Sequence, residues 1–109
     1  MLQPTVKGDG LDRALIRRVV RRHLVEINYC YMSTALPTNP KLAGKVVTSF
    51  TINRKGLATR PKVVSSELKH KPTEQCIARA IARWRFPKPE PAKPVHVTFP
   101  FQLTPGNQQ

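Results

Sequence analysis

Apolar residues recur along the chain with two different periods, and the longer period predicts two helices. Residues 9–31 carry an apolar side chain every three or four positions, with Ile16 and Val20 on one stripe. A second segment of this kind begins at Pro72, where the missing N–H of proline costs nothing at the start of a helix. It ends before Pro87, because the residue that precedes a proline is disfavoured in helical geometry.

Three other segments alternate apolar and polar residues, which is the two-residue period of a β-strand. They are residues 44–52, 57–66 and 95–103. Residues 53–56 connect the first two in a tight hairpin, where Gly56 supplies the positive φ that such turns need. The predicted order of elements is therefore αββαβ.

Two prolines order the predicted strands. Pro61 lies in the second strand and Pro100 in the third, and a proline cannot donate to a strand ladder, so both are predicted edge strands. The predicted fold class is α+β, a three-stranded antiparallel sheet of order 2-1-3 with two helices packed on one face. Residues 1–8 are predicted to be a flexible lead, 9–104 the domain and 105–109 a disordered tail.

The chain is strongly basic. Its 109 residues include 19 Lys and Arg against 6 Asp and Glu, a formal charge of +13 that attracts polyanions or acidic partners. Arg17, Arg18, Arg21 and Arg22 form a basic helix face, which on a nucleic-acid-binding module would contact phosphates. The Phe and Trp residues fall on predicted core faces or at a helix end instead of on an exposed stacking surface. The basic face favours nucleic-acid binding and the position of the aromatic residues speaks against it, so nucleic-acid binding is the alternative function and not the main one.

Few side chains suggest catalysis or metal binding. The acidic residues are scattered, and there is no glycine-rich phosphate loop. His23 and Cys30 share a helical face, but a structural zinc site needs four ligands, usually in close pairs, and none is present. The sequence predicts no catalytic residue, no metal, no cofactor and no small-molecule substrate. Cys30 and Cys76 either pair in an oxidising compartment or remain two buried thiols.

No apolar stretch approaches the roughly 20 residues that a membrane span needs, and the N-terminus has no apolar signal core. The chain is therefore either a cytosolic protein or a piece of a longer one. Its polar N-terminal lead favours the second interpretation.

Together these segments resemble a TonB-type C-terminal domain, and in particular the AgmX/PglI C-terminal subfamily of gliding-motility and related envelope proteins. In family order the matching pieces are IRRVVRRHLVEINYCY (16–31), NPKLAGKVVTSFTI (39–52), Gly56, VVSS (63–66), CIARAIARWRFP (76–87) and VTFPF (97–101). One departure is Lys55, at a hairpin position where the family often has an acidic residue.

The resemblance implies the same αββαβ fold and a periplasmic domain at the C-terminal end of an inner-membrane-anchored protein. In that oxidising compartment it favours a Cys30–Cys76 disulfide. It implies a non-enzymatic domain that couples a proton-driven inner-membrane complex to an outer-membrane or periplasmic protein segment, in gliding motility or transport. Such domains add the partner segment to the last strand, and some dimerise by exchanging strands. Here the expected binding strand is Val95, His96, Val97, Thr98, Phe99, Pro100 and Phe101.

Overall fold

Residues 4–105, which the computed structural model describes, form two layers: a four-stranded antiparallel sheet and three α-helices that cover one of its faces. In chain order the elements are β1 (Thr5–Lys7), α1 (Arg13–Arg22), α2 (Leu24–Cys30), a π-helical turn (Tyr31–Ala35), β2 (Gly44–Ile52), β3 (Ala58–Ser66), α3 (Lys71–Ile81) and β4 (Val95–Leu103). None of the helices in this range has the length and apolar content that a membrane span requires.

The strands with the clearest alternation lie where the sequence predicts them. β2 and β4 have the predicted bounds, and β3 begins one residue later than predicted, at Ala58. Gly56 in the hairpin turn has a φ of +87°, which confirms its predicted role. Thr48 places a hydroxyl on the buried face of β2, and this group donates to the carbonyl oxygen of Phe99 at 2.8 Å. Because the buried hydroxyl has a partner, it does not destabilise the core.

Within the described residues the sheet has four strands, so the prediction of three was wrong. The order is β1-β4-β2-β3, which confirms the predicted order of the last three and adds β1 outside β4. Thr5–Lys7 belong to residues 1–8, predicted to be a flexible lead, and for them that prediction is wrong. A three-residue strand whose one apolar residue is Val6 is too short for alternation to reveal it. Parts of the predicted lead and tail, residues 1–3 and 106–109, lie outside the described range.

The first predicted helix, residues 9–31, is divided in the structure. It begins at Arg13 instead of Asp9, because Asp12 is the N-cap and accepts a hydrogen bond from a first-turn backbone N–H. His23 separates α1 from α2, with φ −102° and ψ 5°. Its ring stacks on that of Trp84, far along the chain, a contact that helical periodicity does not indicate.

The segment before α1 packs closely against the proline-rich connector that leads to β4. The carbonyl oxygen of Gly10 accepts a hydrogen bond from the N–H of Glu90 at 3.0 Å. A Cβ at Gly10 would lie 2.5 Å from the Cβ of Pro89, so a side chain there would force a displacement. The connector, residues 87–94, bends at this contact and contains a cis Glu90–Pro91 peptide bond.

α3 ends at Ile81, earlier than the predicted end before Pro87. The chain then passes along the beginning of β3, where the N–H of Phe86 donates to the carbonyl oxygen of Gly56 at 2.7 Å. Trp84 remains buried, with 1% of its surface exposed. Pairing with the hairpin therefore replaces the last predicted turn of the helix.

A disulfide between Cys30 and Cys76 joins α2 to α3 and confirms the expected pairing. The Cα atoms are 5.6 Å apart, an ordinary separation for a disulfide. The bond links residues 46 positions apart, so it restricts the unfolded chain as well as fixing the two helices against each other.

We expect replacement of both cysteines by alanine to lower the free energy of unfolding substantially. In the chain-entropy model, a loop of this length contributes about 4 kcal/mol. Urea denaturation of the oxidised protein and the double variant measures the difference, and reduced wild-type protein is the matched control. A difference below about 1 kcal/mol would show that the bond contributes little beyond a single hydrogen bond.

Candidate functional site

The two sides of β4 are covered to very different extents. β2 pairs with all nine of its residues. On the other side β1 pairs with three of them, in the register Thr5–Thr98, Val6–Val97 and Lys7–His96. Within residues 4–105 no further strand continues this pairing. Among the described residues, the outer side of β4 is therefore unpaired from Phe99 to Leu103.

The predicted partner-binding residues divide between the two faces of β4. The side chains buried in the core are those of Val95, Val97, Phe99 and Phe101. The side chains on the opposite face are those of His96, Thr98 and Pro100. The first group anchors the strand, while a partner added to this strand would meet the backbone edge and the second group.

Pro100 limits the hydrogen bonds that the open edge can make. It lies opposite Val47 of β2 and two positions beyond Thr98, the last residue of β4 paired with β1 in this direction. Because proline has no N–H, an added strand finds no donor at this position. The prediction that Pro100 marks an edge strand was wrong for residues 96–98, where β1 supplies an outer neighbour that the sequence pattern did not reveal.

β1 covers its part of the edge with little side-chain burial. Thr5 and Lys7 are exposed, and Val6 is half-buried against the core. The strand is therefore held largely by backbone hydrogen bonds, each of which contributes roughly 0.5–1.5 kcal/mol net in water. Displacement of β1 would uncover residues 96–98 at modest cost.

The opposite edge of the sheet is less suited to strand addition. β3 has two register shifts against β2, and Arg60, which precedes Pro61, has a φ of +52°. The segment after α3 covers the beginning of this edge through a bridge between Leu57 and Arg85. Bulges and prolines are features by which natural sheets prevent pairing at an edge. The edge of β4 is therefore the better candidate for binding an extended chain.

A group of three side chains fixes the helices to the segment that leads toward β4. The indole N–H of Trp84 donates to Oε1 of Glu26 at 2.9 Å, and Nδ1 of His23 lies 2.7 Å from Oε2. The His23 ring also stacks on the indole, with ring centroids 4.9 Å apart. Glu26 was absent from the sequence-based site because its contact with Trp84 spans 58 positions, which no local pattern indicates.

Burial of the Glu26 carboxyl tends to raise its pKa, but the hydrogen bonds from His23 and Trp84 outweigh this effect and hold the pKa below its ordinary value near 4.5. A folded-state pKa below the unfolded value means that the ionised carboxylate stabilises the fold. This contribution is present above the unfolded pKa and is lost as the pH falls through the folded-state pKa.

We therefore expect Glu26→Gln to be less stable than the wild type at neutral pH, with a difference that shrinks as the pH falls below about 4.5. Urea denaturation at a series of pH values measures this difference. Glu90→Gln, an exposed carboxyl outside the group, is the matched control. A difference that stays constant from neutral to acidic pH would contradict a role for the charge.

The predicted basic face is continuous on α1. Its residues are Arg17, Arg18, Arg21 and Arg22. Arg17 is half-buried and the other three are exposed. Arg17, Arg18 and Arg21 line, together with Ala14, a shallow depression of about 230 Å³. The aromatic side chains predicted to lie in the core are buried there: Phe50, Trp84, Phe86, Phe99 and Phe101. These rings therefore supply no stacking surface for bases next to the arginines.

The disulfide also decides the chemistry of the two cysteines. The Sγ atoms of Cys30 and Cys76 are bonded to each other, so neither is a thiolate for metal binding or nucleophilic attack. Among residues 4–105 there is no group of three or more His, Cys, Asp or Glu side chains placed to hold a metal ion.

Comparison with known proteins gives matches at the level of structure. No model of a protein family and no curated protein matches the chain. The solution structure of the Pseudomonas aeruginosa TonB C-terminal domain matches with a TM-score of 0.50 and 19% identity, over 68% of this chain and 77% of that one. Two forms of the Helicobacter pylori TonB C-terminal domain match with TM-scores of 0.47. One is 23% identical over 90% of this chain and 94% of its own, the other 29% over 77% and 95%.

The likeness to the Pseudomonas aeruginosa domain shows that this chain has a fold similar to that of the TonB C-terminal domain. The shared fold is a mixed α+β arrangement with an antiparallel sheet and helices. At 19% identity the likeness extends to the fold alone.

Proposed function

We propose that this chain is a TonB-type C-terminal domain of the AgmX/PglI subfamily and that it binds a protein segment in the periplasm. It is the C-terminal part of an inner-membrane-anchored protein and has no enzymatic activity. It couples a proton-driven inner-membrane complex to an outer-membrane or periplasmic partner, in gliding motility or in transport. The fold, the disulfide and the family-like segments of the sequence support this proposal.

The observation that carries the proposal is the half-covered side of β4. One side of the strand is fixed by nine pairs with β2. The other side is covered by three residues of β1 and, among the residues that the structure describes, has no partner from Phe99 onward. An extended peptide can add to such an edge through backbone hydrogen bonds, with little demand on its sequence. The partner segment therefore lies along β4, antiparallel or parallel to it, and either extends past β1 or replaces it.

The same arrangement suits the transmission of force. Several backbone hydrogen bonds between a partner strand and β4 share a load that acts along the strands. β4 passes that load to β2 through an uninterrupted ladder and to the core through its buried side chains. A contact of this kind serves a coupling domain without requiring a pocket or a catalytic group.

We expect extended peptides from periplasm-facing segments of outer-membrane proteins to shift the backbone amide resonances of β4 in the isotope-labelled domain. The largest shifts should fall on residues 97–103 and on β1, because these line the edge. In a matched control peptide, proline at alternate positions removes the donors that pair with β4. Shifts confined to the arginines of α1, with β4 unmoved, would rule out strand addition.

Removal of residues 1–8 should strengthen peptide binding if the partner replaces β1. The gain would reach about tenfold if β1 occupies the edge for about nine tenths of the time. Titration calorimetry measures the affinity, and Val6→Ile, which keeps the strand, is the control. Unchanged affinity would place the partner on residues 99–103 alone, and weaker binding would make β1 a part of the site.

A further inference from the structure

A second candidate binding surface is the groove between α2 and α3. It encloses about 370 Å³ and is lined mainly by apolar surface. Val25 and Tyr29 form the wall on α2, and the Cys30–Cys76 disulfide lies in the groove. The other wall is formed by Arg79 of α3 and by Arg83, which follows the end of α3. The groove shares no residue with β1 or β4, so it is separate from the strand-addition site.

An exposed apolar stripe begins at this groove and continues past it. Four large hydrophobic side chains are exposed in the described part of the chain, and three of them belong to this stripe. They are Val25, Tyr29 and Met32, with 70%, 65% and 46% of their surface exposed. The spacing of four and then three residues places them on one side of the helical segment. Such a concentration of exposed apolar surface is typical of a protein-binding site.

The two walls of the groove are held in place without a ligand. The disulfide fixes α2 to α3 at Cys30 and Cys76. One helical turn before Cys30, Glu26 is bonded to the indole of Trp84, which follows α3. A groove fixed at two points loses little conformational freedom when it is filled, which favours binding.

The charges around the groove select an acidic ligand. Arg79 and Arg83 are both exposed and both line the groove, so it is bordered by two positive charges. The one carboxylate in the lining, that of Glu26, already accepts hydrogen bonds from His23 and Trp84. Glu26 also interacts electrostatically with Arg83, so it offsets part of the positive charge. A ligand therefore meets apolar side chains on one wall and two arginines on the other, with a net positive charge in the lining.

From this combination we propose that the groove binds an amphipathic helix of another protein. The apolar face of that helix packs on Val25, Tyr29 and Met32, and its acidic residues face Arg79 and Arg83. Side chains at such spacings are the usual contacts of a helix bound in a groove. A second copy of this chain does not fit, because its net charge is +13 and a two-fold interface would set Arg79 and Arg83 against the same residues.

The probe is a synthetic helical peptide of Leu, Ala and Glu, with Leu along one face and Glu beside it at a spacing of four residues. Its matched control has Lys in place of Glu. The Glu peptide should shift the amide resonances of α2 and α3 and leave those of β4 unmoved, whereas the Lys peptide should not bind. The position of these shifts separates the groove from the strand-addition site, so either proposal can fail without the other.

Charge reversal supplies the decisive comparison. Arg79→Glu with Arg83→Glu should weaken the Glu peptide about tenfold or more and permit binding of the Lys peptide. Arg18→Glu with Arg22→Glu is the matched control, because it has the same spacing and charge change on α1, away from the groove. This control should change the affinity by about twofold or less.

Tyr29→Ser tests the apolar wall, and it should also weaken the Glu peptide about tenfold. Equal losses in the two charge-reversed variants would show general attraction of an acidic peptide to a basic protein and would overturn the proposal. Absence of binding at millimolar peptide would overturn it as well. Self-association of the domain that Tyr29→Ser abolishes would identify a second copy as the occupant instead.

Discussion

The pairing of β2 with β4 along nine residues, without a register shift, is the constraint on which the rest of the domain depends. Every second residue of both strands points into one core, and this set includes Phe50 and Phe99. A slip by one position would turn all of these side chains toward solvent, so the register is fixed by the burial that it produces. The helices pack on the apolar face that this register forms.

This ladder also decides where the domain can bind an extended chain. β2 has a partner on each side, so an outer neighbour can add only to β3, to the three-residue β1 or to the part of β4 that β1 leaves uncovered. The edge of β3 is distorted at Arg60 and Pro61 and covered at its beginning by the chain after α3. The side of β4 beyond Thr98 keeps regular geometry but has no neighbour within the described residues. The proposed strand addition therefore uses the one regular stretch of edge that the other described elements leave unpaired.

Much of this fold follows from local patterns, and those parts could be predicted from the sequence. The alternation of apolar and polar residues predicted the bounds of β2 and β4, and the positive φ required at Gly56 predicted the hairpin. Both features depend only on residues close together in the sequence. After the end of α3 and at the break at His23, the chain contacts residues far along the sequence, and local periodicity gives no information on such contacts. For the same reason the proximity of Gly56 to Phe86 was not foreseen.

The candidate site divides in the same way. The bounds of β4, the proposed binding strand, were predictable, because its buried face requires a long alternating segment. The length of its unpaired edge was not predictable. That length depends on β1, a strand of three residues that is too short to show an alternating pattern. The disulfide was expected from the family resemblance, since the positions of Cys30 and Cys76 in the sequence fit free thiols equally well.

The two proposed sites recognise different features of a partner. A sheet edge recognises backbone, so it binds many extended segments with similar strength and suits a contact that carries load. The groove between α2 and α3 recognises shape and charge, through Tyr29 on one wall and Arg79 on the other. Both surfaces rest on the same core, yet they use no residue in common. A partner that supplies an extended segment and an acidic helix would thus combine a load-bearing contact with a selective one, and the selectivity that β4 lacks would come from the helices.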